Sequence, residues 1–512
     1  MALEQFIKRY GDRVTGVLSG FDRVLFRGTL RSLSRAEGLG RWLNWKGVRL
    51  KDFGKFAEGQ SARVKRGAEE LAAKAGRPYR YLPSPKISKE KLAQEMVARE
   101  TIREGLVCVL AATEPCFSYS VRGRRESGQL ELRREQRKCL FLYFYFVDRE
   151  FGLMHVRLQT WFPFEVQVCL NGREWLARKM DRAGLAYQRE ENCFTGLQEV
   201  AQAQALADEM LETRWERVLE ALARRVNPLL KDLLAEKHYY WTVRQDEYAT
   251  DVMFRDPPAL AEIYPGLVRQ AMENFRSEDV LRFLGRKLDG RFRGEVTSDL
   301  RKRPEGVRVR HRVQENWLKM YDKRGRVLRI ETAINNPGRF RAWRKGPDGK
   351  RAWLPLRQGV ADLRRRVEIA RAANVRYLEA LASVPLGQPA CRVLDPVWQP
   401  VERGSQRFRP LRPVAAEEAH LFASVMRGEF LMQGFRNADL REHLFPEPPQ
   451  DAVERRRRAA QTTRCIRLLC AHKLVRKLSG TTRYLLTRRA VALMSTALNL
   501  RRCDVNQLPR AA

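Results

Sequence analysis

The chain has 512 residues, 44% hydrophobic and 31% charged, with 98 Lys and Arg against 61 Asp and Glu and a formal net charge of +37. That excludes a disordered tail, leaves room for roughly two to four domains with real cores, and points to a polyanion such as nucleic acid, because so basic a surface repels itself unless neutralised. No apolar run reaches the ~18 residues of a spanning helix, and MALEQFIKRYGDR lacks a signal-peptide core, so a cytoplasmic protein with no membrane association is expected.

In chain order, TGVLSGFDRVLFRGTL reads as a strand interrupted by Gly20 and carrying Asp22 and Arg27. Polar helices are expected over about 52–75 and 88–103. Strand signals then crowd together in LVCVLAA, FSYSVRG, QLELRRE, KCLFLYFYFVD, LMHVRLQTWF and EVQVCLNG, an antiparallel meander. In HVRLQTWFPFEVQ, His155, Arg157 and Gln159 share one face, and Glu165 and Gln167 continue it. This is a polar patch, or a solvent-facing sheet; within it His155 is a catalytic candidate. Flanking aromatics (Phe141, Tyr143, Tyr145, Trp161, Phe162, Phe164) suit base stacking or a core.

NGREWLARKMDRAG reads as a helix stopped by Gly184, helices follow from about 197 to 236, and then comes HYYWTVRQDEYATD, with Tyr239 and Tyr240 ahead of Glu247 and Asp251. VRVRHRV alternates strictly and places Arg308, Arg310 and Arg312 on one face and His311 on the other. Alternate residues on a strand lie ~6.5–7 Å apart, close to the phosphate spacing of a nucleic-acid strand. The hairpin KMYDKRGRVLRIETAIN follows, then a long amphipathic helix from about 359 to 384. Nine cysteines are scattered without a CxxC pair, which fits reduced core thiols rather than a disulfide framework.

The fold class expected is α+β: an antiparallel sheet with helices in the N-terminal and central parts, followed by a C-terminal winged helix-turn-helix. The divisions expected are 1–190 (antiparallel α+β), 191–384 (helices and β-hairpin completing the core), 385–413 (Pro/Arg-rich linker) and 414–505. In the last, three helices, a hairpin and a helix succeed one another, and R-x-L-x-x-H-x-L-V-x-K…R-Y-x-L-T resembles the MarR-type winged-helix regulators. That resemblance implies Arg457, Gln461, Thr462, Arg464 and Arg467 on a groove-reading helix and Lys477 and Arg483 on the wing. Such modules also dock proteins, and many dimerise, so a homodimer is an open expectation.

KMYDK…VLRIE resembles a signature of rolling-circle replication initiators. The resemblance implies a metal-ligating Glu331, with Lys319, Lys323 and Arg329 facing phosphate and Mg²⁺ or Mn²⁺ as cofactor. A tyrosine nucleophile is implied too: Tyr239, Tyr240 or Tyr321. Asp22 and Asp251 are further ligand candidates. No HxH pair is present, so the metal site must be acidic, and an RNase H-type transposase with dispersed carboxylates competes. SGFDRVLFRGTL, QTWFPF, CLNGREWLA and LRIE together resemble an uncharacterised bacterial protein type of mobile-element character. Two functions stay open: a metal-dependent nicking or strand-transfer enzyme acting on DNA, and a non-enzymatic regulator binding DNA or RNA.

Overall fold

Thirteen strands, some alternating and some apolar on both faces, dominate the computed structural model, which describes residues 3–124, 128–286, 294–303, 306–382, 390–478 and 480–503. They are β1 (Val14–Thr29), β2 (Tyr79–Tyr81), β3 (Gly105–Gly123), β4 (Leu130–Asp148), β5 (Gly152–Gln159), β6 (Val166–Asn171), β7 (Tyr187–Glu190), β8 (Cys193–Leu197), β9 (Tyr240–Phe254), β10 (Val296–Arg303), β11 (Gly306–Val313), β12 (Asn316–Lys323) and β13 (Val327–Ala333). Short hairpins follow them. The chain divides into a larger unit, Gly16–Thr250 with Glu331–Ala370, and a smaller one, Met1–Thr15, Asp251–Ile330 and Arg371–Ala512.

In the larger unit the strand order is β13-β9-β1-β6-β5-β4-β3-β2. The meander is antiparallel from β3 to β6, but β2 runs parallel to β3. The sheet is therefore mixed, and not purely antiparallel. The helix Lys89–Glu100 lies between β2 and β3 and supplies the crossover that a parallel pair needs. LVCVLAA and FSYSVRG belong to one 19-residue strand, as do QLELRRE and KCLFLYFYFVD. Phe141, Tyr143 and Tyr145 pack with Leu82, Val107 and Leu110, and Phe162 lies 4.4 Å from Phe164 between ring centroids. All five of these aromatics are buried, so they build core rather than base platforms.

In the smaller unit β10, β11, β12 and β13 form an antiparallel meander. Val309, His311 and Val313 face the core, as alternation requires. The His311 ring bonds on both sides: Nδ1 shares a 2.7 Å hydrogen bond with Ser298 Oγ, and Nε2 one of 2.9 Å with the Tyr377 hydroxyl. Burial pushes His311 from its ordinary 6.5 down to about 4. The unfolded chain then binds more protons between those values, so stability falls as pH drops from 6.5 towards 4, by about 3 kcal/mol in all. A urea titration of wild type and His311→Gln should show the wild-type advantage constant above pH 7 and shrinking below 6.5. A pH-independent difference would contradict this.

The C-terminal helices Ala416–Val425, Asn437–Leu444 and Ala452–Ala471, the paired strands Val475–Lys477 and Tyr484–Leu486, and the helix Arg488–Arg502 come in the order read from the sequence. A short helix, Gly428–Gln433, is inserted after the first. Phe422, Leu440, Ile466, Leu469 and Leu493 form their shared core. Leu394, Val397 and Leu411, from the stretch read as a linker, belong to that core, because their side chains are too apolar to stay in water. Residues 385–389, Ser479 at the expected wing turn and residues 504–505 lie outside the described residues. No helix among the described residues is long and apolar enough to cross a membrane.

Candidate functional site

Three neighbouring strands of the larger unit, β1, β9 and β13, each carry one acid to a common point. They are Asp22, Glu247 and Glu331, and one carboxylate oxygen from each lies within 4.8 Å of the others. Adjacent strands are spaced ~4.8 Å apart, so the outer two side chains must lean inward to meet. Glu247 is 6% exposed and Glu331 2%. At that separation and an effective dielectric of ~20, each pair of charged carboxylates repels by roughly 3 kcal/mol.

Local donors hold the acids in place. Arg23 Nη2 lies 3.1 Å from Glu247 Oε2. Gln245 Nε2 donates to Glu247 Oε1 at 2.9 Å, and Asn192 Nδ2 to Asp22 Oδ1 at 2.6 Å. Burial works against the Arg23 charge, but Glu247, Cys169 and Asp22 together outweigh it and raise the Arg23 pKa. Six oxygens about 2.1 Å from a Mg²⁺ stand about 3 to 4.2 Å from one another, so this all-oxygen set needs only a small contraction to grip Mg²⁺ or Mn²⁺.

Asp22 and Glu247 line a cavity of about 200 Å³ together with Arg23, Tyr145, His155 and Asn192. Strand register delivers His155: it pairs with Tyr145 on β4 and with Cys169 on β6. Burial, then Arg157, Arg23 and Lys89, push His155 from 6.5 down to about 4. It is a neutral imidazole at physiological pH. Burial raises the Tyr145 phenol, keeping it protonated.

The other predicted residues lie as follows. Asp251 is not in the carboxylate cluster: it is fully buried, and its two oxygens accept from Arg329 Nε and Nη2 at 2.7 and 2.8 Å. Arg329 therefore cannot face phosphate; β13 is buried along its whole length, as befits a strand flanked on both edges. Tyr239 is buried and donates its hydroxyl to the Phe164 carbonyl at 2.7 Å while accepting from Asn227, so it cannot act as nucleophile. The Tyr240 ring is capped by the Arg31 guanidinium at 3.4 Å. Tyr321 is half-buried on β12.

Arg310 is spent on Asp299 at 2.8 Å, Arg308 is half-buried, and exposed Arg312 donates to the Gln314 carbonyl. The expected row of three phosphate-facing arginines is thereby interrupted. Lys319 lies 5.0 Å from the Trp317 ring centroid and Lys323 is half-buried. On the helix Ala452–Ala471, Arg457, Gln461 and Arg464 are exposed along one face. Thr462 is fully buried and bonds to the Arg458 carbonyl, so it cannot touch a base. Arg467 is exposed and donates to Gln406 at 2.7 Å. Lys477 is exposed, and Arg483 reaches the Gly434 carbonyl.

Comparisons with protein families, with curated proteins and with solved structures give no match.

Proposed function

We propose that this chain is a nucleic-acid enzyme of mobile-element type, in which Asp22, Glu247 and Glu331 hold Mg²⁺ or Mn²⁺ for cleavage or transfer of a DNA strand. The observation that carries the reading is the convergence of three acids from three adjacent strands, two of them buried. A divalent cation would offset the mutual repulsion that bringing three acids to one point creates. A bound ion would supply charge stabilisation at the scissile phosphate and acidify a coordinated hydroxyl.

The chain's own groups do the rest. Arg23 and Gln245 orient Glu247, and Asn192 orients Asp22. His155, neutral in the same cavity, takes the proton of the attacking hydroxyl as a new P–O bond forms and, being a weak base, passes it on to the leaving oxygen as that oxygen's bond to phosphorus breaks. With Tyr239 locked and the Tyr145 phenol held protonated, attack by water or by a strand's terminal hydroxyl suits the cavity better than a tyrosine. The test is an end-labelled DNA strand incubated with the full chain in Mn²⁺, Mg²⁺ or EDTA. Metal-dependent nicking supports the reading, and its absence in every metal overturns it.

A second reading, a DNA-binding regulator without catalysis, is favoured by exposed Arg457, Gln461 and Arg464 on one helix face, as a winged-helix reader would carry them. Arg457→Ala with Arg464→Ala should cost about 1–3 kcal/mol per lost base contact at a preferred duplex site and leave non-specific binding nearly intact. Equal affinity for that site in selection-derived binding curves would remove this face from recognition.

A further inference from the structure

We infer that an arginine-lined groove in the larger unit binds single-stranded nucleic acid and feeds the strand towards the carboxylate site. The groove holds about 870 Å³. Arg27 at the end of β1 and Arg31 just beyond it line one side, Arg35 and Arg41 come from the turn and helix Ala36–Trp45 that follow, and Arg134 reaches in from β4. Two acids, Glu37 and Glu165, oppose these five cations, and Glu165 is already ion-paired to Arg27. Arg31, Arg35, Arg41 and Arg134 are all exposed, so their charge is available to a ligand.

Two features choose the ligand class. The Arg31 guanidinium carbon lies 3.4 Å from the centroid of the Tyr240 ring, a cation–π contact that holds in place a fork suited to phosphate. Arg134 sits 5.7 Å over the Phe117 ring, and Phe117 is 59% exposed. An exposed aromatic beside a cation offers a stacking face for a base. Only an unpaired base can take it, because duplex bases already stack on their neighbours. Phosphates on the arginines and a base on Phe117 describe a single strand rather than a duplex, a lipid headgroup or an acidic peptide.

Arg23, which lines the carboxylate cavity, and Arg27, which lines the groove, lie four residues apart on β1 and so on one face about 13 Å from each other, so a bound strand of a few nucleotides spans both. The inference rests on the reading of this chain as a nucleic-acid protein, and it is independent of whether the chain cuts what it binds.

The experiment is fluorescence anisotropy of the full chain with labelled oligothymidine, oligouridine and duplex DNA over a salt series. Arg31→Gln/Arg35→Gln/Arg41→Gln should lose at least about tenfold in single-strand affinity, and its salt slope should fall by about 2. Phe117→Ala, an exposed position with little influence on folding, should lose roughly 5- to 100-fold for single strands and little for duplex. Preference between oligothymidine and oligouridine assigns DNA or RNA. Wild-type affinity in both variants overturns the inference, as does an equal loss for duplex and single strand. Nicking by wild type with unaltered affinity in both variants sinks the groove alone; lost affinity without any nicking in wild type sinks only the catalytic reading.

Discussion

Glu331→Gln is expected to reduce metal-dependent strand cleavage by on the order of 10²–10³-fold while leaving affinity for the strand within about twofold. The substitution keeps the shape and hydrogen-bonding reach of the side chain and removes its charge. Charge is the property that matters, since three anionic side chains from β1, β9 and β13 are what would balance a divalent ion. A second readout separates function from folding. A saturating ion at about 100 times its Kd stabilises the protein that binds it by about 2.7 kcal/mol. Wild type should therefore melt higher in Mn²⁺ than in EDTA, and the variant should show little of that rise. A variant that cuts at the wild-type rate would remove Glu331 from the mechanism.

Asp251→Ala is expected to destabilise the smaller unit by about 3–5 kcal/mol. Arg329 and Asp251 are both fully buried and joined by two hydrogen bonds. Arginine cannot shed its proton to escape an apolar site. Removing Asp251 takes a carboxylate and two charge-assisted hydrogen bonds away from a buried guanidinium, and the urea midpoint should fall accordingly. Asp251→Leu combined with Arg329→Met should recover much of the loss, because an apolar pair of similar volume avoids the desolvation cost. If Asp251→Ala unfolds at the wild-type midpoint, the pair is not the buried bridge described. Arg329→Met should also leave the salt slope of nucleic-acid binding unchanged, because this guanidinium reaches no phosphate.

Much of the architecture was legible because strand alternation and helix order are local properties. The meander from β3 to β6, the inward His311 and the succession of C-terminal helices all follow from neighbouring residues. Asp22 and Glu331 were legible as acids on strands, and the fold brings them together. The third acid was not. Glu247 and Asp251 share β9 but lie about 13 Å apart along it, and only the register of β9 against β1 decides which one meets Asp22.

Arg329 was misplaced for a related reason. The hairpin carrying it reads as an open sheet face, yet β13 is interior and buried throughout. Thr462 carried a usable signal: it stands four residues before Ile466 and seven before Leu469, the spacing of a buried helical stripe. The groove at Arg31, Arg35 and Arg41 gave no motif at all, since those arginines are joined with Arg134 only when β4 is laid in place.

The central claim is that Asp22, Glu247 and Glu331 form one cation site, and direct titration of Mn²⁺ into the full chain, with free ion read by electron paramagnetic resonance, tests it most directly. Saturable binding in wild type that disappears alike in Asp22→Asn, Glu247→Gln and Glu331→Gln is the predicted result. No saturable binding in wild type, or undiminished binding in all three variants, would contradict it.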